Sequence, residues 1–231
     1  MDVAAGVGPD LGVGGAAGVR RWSARPSLAC AALLLALIIG AGPAPGKPVE
    51  RLLVLGDSIA AGYGLPAEES LPARLQAALR QAGYEVEVIN GGVSGDTSAG
   101  GLARVQWMLG DKPDFVILEL GANDALRGID PKETYANLDG ILAKLDAAGV
   151  KVLLAGMLAP PNLGPAYGRA FASIYPRLAA AHHCLLYPFL LDGVAAIPSL
   201  NQADGIHPNA RGVEAMVGRM LPYVERLLGK K

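Results

Sequence analysis

Five short apolar runs recur along the chain, and none of them alternates cleanly between apolar and polar residues. A largely apolar run of this length without clean alternation is typical of a strand that is covered on both faces of its sheet. We therefore predict a strand for each run. The predicted strands are Leu52–Leu55, Val86–Ile89, Phe115–Leu120, Val152–Met157 and Cys184–Phe189.

Apolar residues with helical spacing lie between or after these runs. One such stripe contains Leu71, Leu75 and Leu79 and is ended by Gly83, because glycine is a common helix stop. Pro176 interrupts a further helical stretch, so we expect a kink or a restart there. That stretch spans residues 167–181, and the remaining predicted helices span residues 135–145 and 213–224.

The alternation of strand and helix predicts the fold class. Repeated strand–helix–strand units form a parallel sheet, and right-handed crossovers distribute their helices over both faces. The expected architecture is α/β: a doubly wound, three-layer α/β/α sandwich with a five-stranded parallel sheet, as in flavodoxin-like folds. Ligands bind such sheets at the carboxyl ends of the strands.

The first 46 residues have a different pattern and are assigned to a signal peptide and leader. Three arginines, the last of them Arg25, precede an uncharged stretch from Leu28 to Gly42, and small residues and prolines follow. We expect export to the periplasm or the exterior, with cleavage between about Pro43 and Pro48. An uncleaved N-terminal membrane anchor is the alternative. Residues 47–231 are then the folded domain.

Composition narrows the possible partners. The 231 residues carry a net charge of −1 without runs of like charge, so nothing indicates a nucleic-acid partner. The chain also lacks a cluster of histidine, cysteine and carboxylate residues with metal-ligand spacing. The glycine-rich stretch 91–101 could suggest a phosphate-binding loop, but it matches neither the G-x-x-x-x-G-K-[ST] motif nor the G-x-G-x-x-G motif. Nothing in the sequence implies a cofactor, a metal or an obligate protein partner.

Candidate catalytic residues lie at the two ends of the domain. Ser58 follows the first predicted strand in Gly-Asp-Ser, and Asp204 and His207 lie three residues apart near the last helix. Serine becomes a nucleophile when an imidazole accepts its proton and a carboxylate orients that imidazole. Two alternatives stay open, since Ser58 could cap a helix and Asp204 could cap the last helix.

Two further candidates follow the second and third predicted strands. Acyl transfer requires hydrogen-bond donors for the developing oxyanion, and a backbone N–H or an asparagine amide can supply them. Gly95 and Asn123 meet this description, because both fall at the predicted carboxyl edge together with Ser58. Gly95 could instead only form a turn, and Asn123 could be an Asx-turn or left-handed residue.

Four blocks of sequence resemble the SGNH (GDSL-like) hydrolases. The pieces GDS, SGDTS, G-x-ND and DGIHPN follow in the order of that family, and they are most similar to its thioesterase I, lysophospholipase and arylesterase branch. The resemblance covers nearly all of residues 51–228. It implies a Ser58–His207–Asp204 triad, an oxyanion hole formed by Ser58, Gly95 and Asn123, and no cofactor.

The resemblance also implies substrates and a binding groove. The expected substrates are small acyl esters and thioesters, namely aryl esters, lysophospholipids and fatty acyl-CoA. Two alternatives are a carbohydrate O-acetylesterase, which other branches of the family contain, and a non-catalytic lipid-binding protein on the same fold. A core or loop-packing role is an equal alternative for each of the residues that the resemblance assigns to the acyl groove: Leu126, Leu158, Pro161 and Tyr167.

Overall fold

The five predicted strands form one parallel sheet in the order β2-β1-β3-β4-β5. The chain moves from β1 outwards to β2, then returns across β1 to reach β3. This is the doubly wound order of flavodoxin-like folds. The strands are β1 (Glu50–Gly56), β2 (Val86–Gly92), β3 (Phe115–Glu119), β4 (Lys151–Ala155) and β5 (Leu185–Tyr187).

The computed structural model describes Gly18 and residues 49–229. The leader predicted for residues 1–46 lies outside the described residues apart from Gly18, and the predicted domain boundary stays a prediction. No described helix has the length and apolar character needed to cross a membrane. The helices are α1 (Ser58–Ala61), α2 (Leu71–Gln81), α3 (Ser98–Met108), α4 (Ala122–Leu126), α5 (Pro131–Ala147), α6 (Gly164–Ala172), α7 (Ile174–Ala181) and α8 (Ala210–Leu227).

Helices cover both faces of the sheet. Helices α2 and α8 pack against each other, and α5 packs against both α3 and α7. Right-handed crossovers put these two groups on opposite faces, because the chain reverses its direction across the sheet after β2. The predicted three-layer α/β/α sandwich is confirmed.

Burial differs between the central and the edge strands. Leu52–Leu55 of β1 are fully buried, and every residue of β3 is buried. The edge strands β2 and β5 are only partly buried. An edge strand has a neighbouring strand on one side only, which leaves more of it in contact with solvent.

The helical stretch that contains Pro176 is divided into two helices, as expected, but the break lies before the proline and not at it. Helix α6 ends at Ala172 and α7 begins at Ile174, so Pro176 falls in the first turn of α7. Proline is tolerated there, because the N–H groups of a first turn have no partner within the helix. The helix therefore begins ahead of Pro176 without losing a backbone hydrogen bond.

Candidate active site

Three loops that leave the sheet converge at one edge. Ser58 follows β1, Gly95 follows β2 and Asn123 follows β3, each on the carboxyl side of its strand. Strands β1 and β3 are neighbours, although the chain reaches β3 only after visiting β2. This is the point where the direction of winding changes, and doubly wound sheets bind their ligands in the crevice there.

Ser58 is held by the turn between β1 and α1. It is the first residue of α1, and the cap of that helix is Asp57, whose Oδ1 accepts the N–H of Ile59 at 3.0 Å. Ser58 therefore does not have the capping role that the sequence left open. Its side chain is instead free to act at the edge of the sheet, where the residue is 9% exposed.

His207 contacts both Ser58 and Asp204. Its Nε2 lies 2.9 Å from Ser58 Oγ, and its Nδ1 lies 2.6 Å from Asp204 Oδ2. The second carboxylate oxygen of Asp204 accepts the N–H groups of Ile206 and His207 at 2.9 and 3.0 Å. These backbone hydrogen bonds, with the bond to the imidazole, lower the pKa of Asp204 to about 2. A charged carboxylate thus orients the imidazole whose other nitrogen contacts the serine hydroxyl.

Asp204 does not cap the last helix, as the sequence had allowed. The cap of α8 is Asn209, whose Oδ1 accepts the N–H of Gly212 at 3.0 Å. Asn209 Nδ2 also donates to the carbonyls of Ser199 and Asn201 at 3.1 and 3.2 Å. The loop that carries His207 is therefore tied to the start of α8 while Asp204 remains available to the imidazole.

Gln202 and Tyr63 were not predicted, yet both secure the position of His207. The Tyr63 and His207 rings have centroids 4.7 Å apart. Gln202 Nε2 donates to the carbonyls of Tyr63 and Pro208 at 2.7 and 3.0 Å, and the Gln202 backbone N–H donates to the His207 carbonyl at 2.7 Å. The loop that carries His207 is thereby joined to the loop that follows Ser58. Neither residue has a sequence signal of its own, because each acts through contacts between distant segments.

Glu119 is a second supporting residue that sequence reasoning missed. It is fully buried, and its Oε1 accepts the N–H of Ala60 at 2.8 Å. A Cβ at Gly56 would lie 2.4 Å from that oxygen, so the last residue of β1 must be glycine for Glu119 to reach the turn. Burial and the nearby charge of Asp57 raise the pKa of Glu119 well above its ordinary value. The available signal was a single acidic residue inside the apolar run Phe115–Leu120.

The two oxyanion candidates have different local structures. Gly95 has a φ of +82°, which favours glycine, and its carbonyl accepts a hydrogen bond from Arg127 at 2.8 Å. Asn123 lies within α4, which follows the left-handed Gly121, so the left-handed interpretation of Asn123 is wrong. The Nδ2 of Asn123 donates to Asp57 Oδ2 at 3.1 Å. Its amide therefore faces the turn of Ser58.

The residues assigned to the acyl groove have unequal environments. Leu126 and Leu158 are about half exposed, at 51% and 52%, and Pro161 is exposed in a short 3₁₀ turn. Tyr167 is partly buried, its hydroxyl donates to the carbonyl of Ile129 at 2.7 Å, and its ring stacks on Phe171. Tyr167 thus has a packing role whether or not it contacts a substrate. The described residues contain no group of three or more side chains suited to a metal ion.

Comparison with known proteins agrees with this geometry. The profile of the GDSL-like Lipase/Acylhydrolase family matches residues 54–215. Esterase TesA of Pseudomonas aeruginosa is 44% identical over 180 residues, which cover 78% of this chain and 90% of that protein. Thioesterase 1/protease 1/lysophospholipase L1 of Escherichia coli K12 is 42% identical over 161 residues, which cover 69% of this chain and 76% of that protein.

Solved structures of esterases have the same fold as this chain. A crystal structure of TesA superposes with a TM-score of 0.74 at 44% identity and covers 77% of this chain and 99% of its own. The psychrotrophic esterase EstA from Pseudoalteromonas, inhibited by monoethylphosphonate, has a TM-score of 0.75 at 32% identity and covers 78% and 100%. With a sheet of this order and a serine, histidine and aspartate in contact at its carboxyl edge, the chain belongs to the GDSL-like lipase/acylhydrolase family of ester hydrolases.

Proposed function

We propose that the chain hydrolyses acyl esters and thioesters through a covalent acyl-enzyme formed on Ser58. The observation that carries this proposal is the unbroken line of contacts from Ser58 Oγ to His207, at 2.9 Å, and from His207 to Asp204, at 2.6 Å. A serine within hydrogen-bonding reach of an imidazole that a carboxylate orients is an activated nucleophile. No metal or cofactor is needed for this chemistry.

The reaction then has two halves. In the first, Ser58 Oγ attacks the acyl carbonyl while His207 Nε2 accepts the hydroxyl proton. The tetrahedral intermediate collapses, and the leaving alcohol or thiol takes that proton from His207. In the second, water attacks the acyl-enzyme as His207 again accepts a proton, and the carboxylic acid leaves as Ser58 is restored. Asp204 stabilises the imidazolium that forms in both halves.

The tetrahedral oxygen needs hydrogen-bond donors, and we assign three. The backbone N–H groups of Ser58 and Gly95 supply two of them, and the side-chain amide of Asn123 supplies the third. All three residues follow neighbouring strands at the same edge of the sheet. Donors fixed in advance stabilise the transition state without reorganisation, and one such donor contributes about 10²–10³-fold to kcat.

The proposed substrates are aryl esters, lysophospholipids and fatty acyl-CoA. Relatives that are 42–44% identical bear the names esterase TesA, arylesterase and thioesterase 1/protease 1/lysophospholipase L1. The half-exposed side chains of Leu126 and Leu158 offer apolar surface of the kind that an acyl chain would contact. Pro161 and the partly exposed ring of Tyr167 would add to this surface.

Substrate class is tested by a single panel of reactions. The purified enzyme is given p-nitrophenyl esters of increasing chain length, a fatty acyl-CoA, a lysophospholipid and acetylated xylan, with the Ser58→Ala variant as the blank. We expect turnover of the acyl esters and thioesters and little release of acetate from xylan. Faster deacetylation of xylan than of any aryl ester would instead identify a carbohydrate O-acetylesterase. Lipid binding without any turnover would identify a binding protein.

We also propose that the chain is exported, as the charge and hydropathy pattern of residues 1–46 indicates. Cleavage after Gly46 would leave β1 intact, because that strand begins at Glu50. N-terminal sequencing of the exported protein tests this directly. Recovery of the protein from the membrane fraction with the Leu28–Gly42 segment still attached would show that the leader serves as an anchor. That outcome would not affect the proposed chemistry.

A further inference from the structure

Asp57, directly before the nucleophile, has a buried carboxyl group that serves two segments at once. The residue is 1% exposed. Its Oδ1 accepts the N–H of Ile59 at 3.0 Å and so caps α1, whereas its Oδ2 accepts Nδ2 of Asn123 at 3.1 Å. The first contact explains why an acidic or amide residue is useful at this turn. The second is not required for capping and joins the turn of Ser58 to α4.

This second contact determines which way the Asn123 amide points. An asparagine amide carries two N–H donors on one atom and an acceptor oxygen on the other, and its last torsion angle allows two orientations of similar energy. An ionised carboxylate can only accept, so it selects the orientation in which Nδ2 faces Asp57. One N–H of Nδ2 then binds Asp57, and the other stays available to a substrate oxygen.

We propose that Asp57 is a positioning residue for ester hydrolysis, which acts by holding the Asn123 amide in the orientation that presents an N–H to the oxyanion. This inference rests on the proposed role of Asn123 as an oxyanion donor. Without Asp57 the amide can turn its oxygen towards the substrate. That oxygen would repel the developing negative charge instead of stabilising it.

The charges around Asp57 are consistent with this role. Burial raises the pKa of Asp57 to about 6, and the negative charge of Asp96 adds to this effect. The hydrogen bonds from the Ile59 N–H and the Asn123 amide, and the charge of His207, lower the pKa and offset part of the increase. Asp57 in turn raises the pKa of the adjacent Glu119. The carboxylate is therefore ionised at neutral pH, and the positive charge that His207 gains during acylation favours this ionised form.

The test uses the isosteric substitution Asp57→Asn. Asparagine is as good a helix cap as aspartate, so the hydrogen bond to Ile59 can be kept. The group that faces Asn123 becomes an NH₂ donor, and Asn123 can pair with it only by turning its own oxygen inwards. We expect kcat on p-nitrophenyl butyrate to fall by about 10²–10³-fold, as for loss of one oxyanion donor, with KM nearly unchanged. The variant should melt at or above the wild-type temperature.

A double-mutant cycle separates positioning from a general structural effect. Asn123→Ala, Asp57→Asn and the double variant are compared with the wild type. If Asp57 acts through Asn123, Asp57→Asn should change kcat by less than about threefold in the Asn123→Ala background, because residues that act as a unit are not additive. An equal loss in both backgrounds, or a wild-type kcat for Asp57→Asn alone, would overturn the inference.

The cycle also distinguishes this inference from the proposed function on which it rests. A wild-type kcat for Asn123→Ala would remove Asn123 from the oxyanion hole, whatever Asp57 does. If Asp57→Asn fails to fold, Asp57→Ser replaces it in the cycle. Serine keeps a capping oxygen for Ile59 but is too short to reach Asn123. A loss of kcat that disappears in the Asn123→Ala background would again support the proposal, whereas an equal loss in both backgrounds or a wild-type kcat would overturn it.

Discussion

Replacing Ser58 by alanine is expected to lower kcat on p-nitrophenyl esters by on the order of 10⁶-fold, as in other hydrolases with this type of triad. The hydroxyl is the atom that forms the acyl-enzyme, and no described group at this position can replace it. The fold should be retained, because the Ser58 carbonyl still accepts the N–H of Tyr63 at 3.0 Å. Steady-state kinetics and thermal melting of the purified variant measure both effects.

A serine outside the site provides the matched control for this experiment. Ser173 lies between α6 and α7, and its hydroxyl donates to the carbonyl of Ala170 at 2.7 Å. Ser173→Ala should therefore leave kcat within about twofold of the wild type. Ester hydrolysis by Ser58→Ala at the wild-type rate would refute the proposed mechanism.

Removing His207 is expected to be about as damaging as removing Ser58, and the two losses should not multiply. His207→Ala leaves the serine proton without an acceptor, so it should also lower kcat by on the order of 10⁶-fold. Once Ser58 is absent, the imidazole has no hydroxyl to activate. The double variant should therefore retain the small activity of either single variant, which a high enzyme concentration and a blank-corrected assay can measure.

His183 offers the control for the second experiment. It is an exposed histidine just beyond α7, so His183→Ala should keep wild-type kinetics. If the double variant falls well below both single variants, Ser58 and His207 contribute independently and do not form one catalytic unit. An active His207→Ala variant would leave the 2.9 Å contact with Ser58 without a catalytic role.

The strands and most of the helices could be predicted from sequence because apolar patterning determines them. The central strands β1 and β3 each contain a run of four apolar residues, and both were located to within two residues at each end. Helix α3 was not predicted, because Gly100 and Gly101 lie in its first turn and obscure its pattern. Thr97, which caps α3 through the N–H of Gly100, was the signal available there.

The candidate site was predicted only as far as its residues form short motifs. Ser58 and His207 are separated by 149 positions, yet each lies in a recognisable block, and the structure brings the two into contact. Gln202, Tyr63 and Glu119 were missed, because their roles exist only when distant segments meet. The role of Asp57 was missed for the same reason, because its contact with Asn123 joins the ends of β1 and β3, two strands that are not consecutive in the chain.

Burial of the Asp57 carboxyl group lowers the free energy of unfolding at neutral pH. Its pKa is about 6 in the fold against an ordinary value of 3.8, so the native state holds this proton more tightly than the unfolded chain does. The stabilisation from this group is complete below the ordinary value and is lost as the pH rises through 6, a loss of roughly 3 kcal/mol. Selection for heat resistance at neutral pH should therefore favour uncharged residues at position 57, whereas selection for turnover should retain the aspartate.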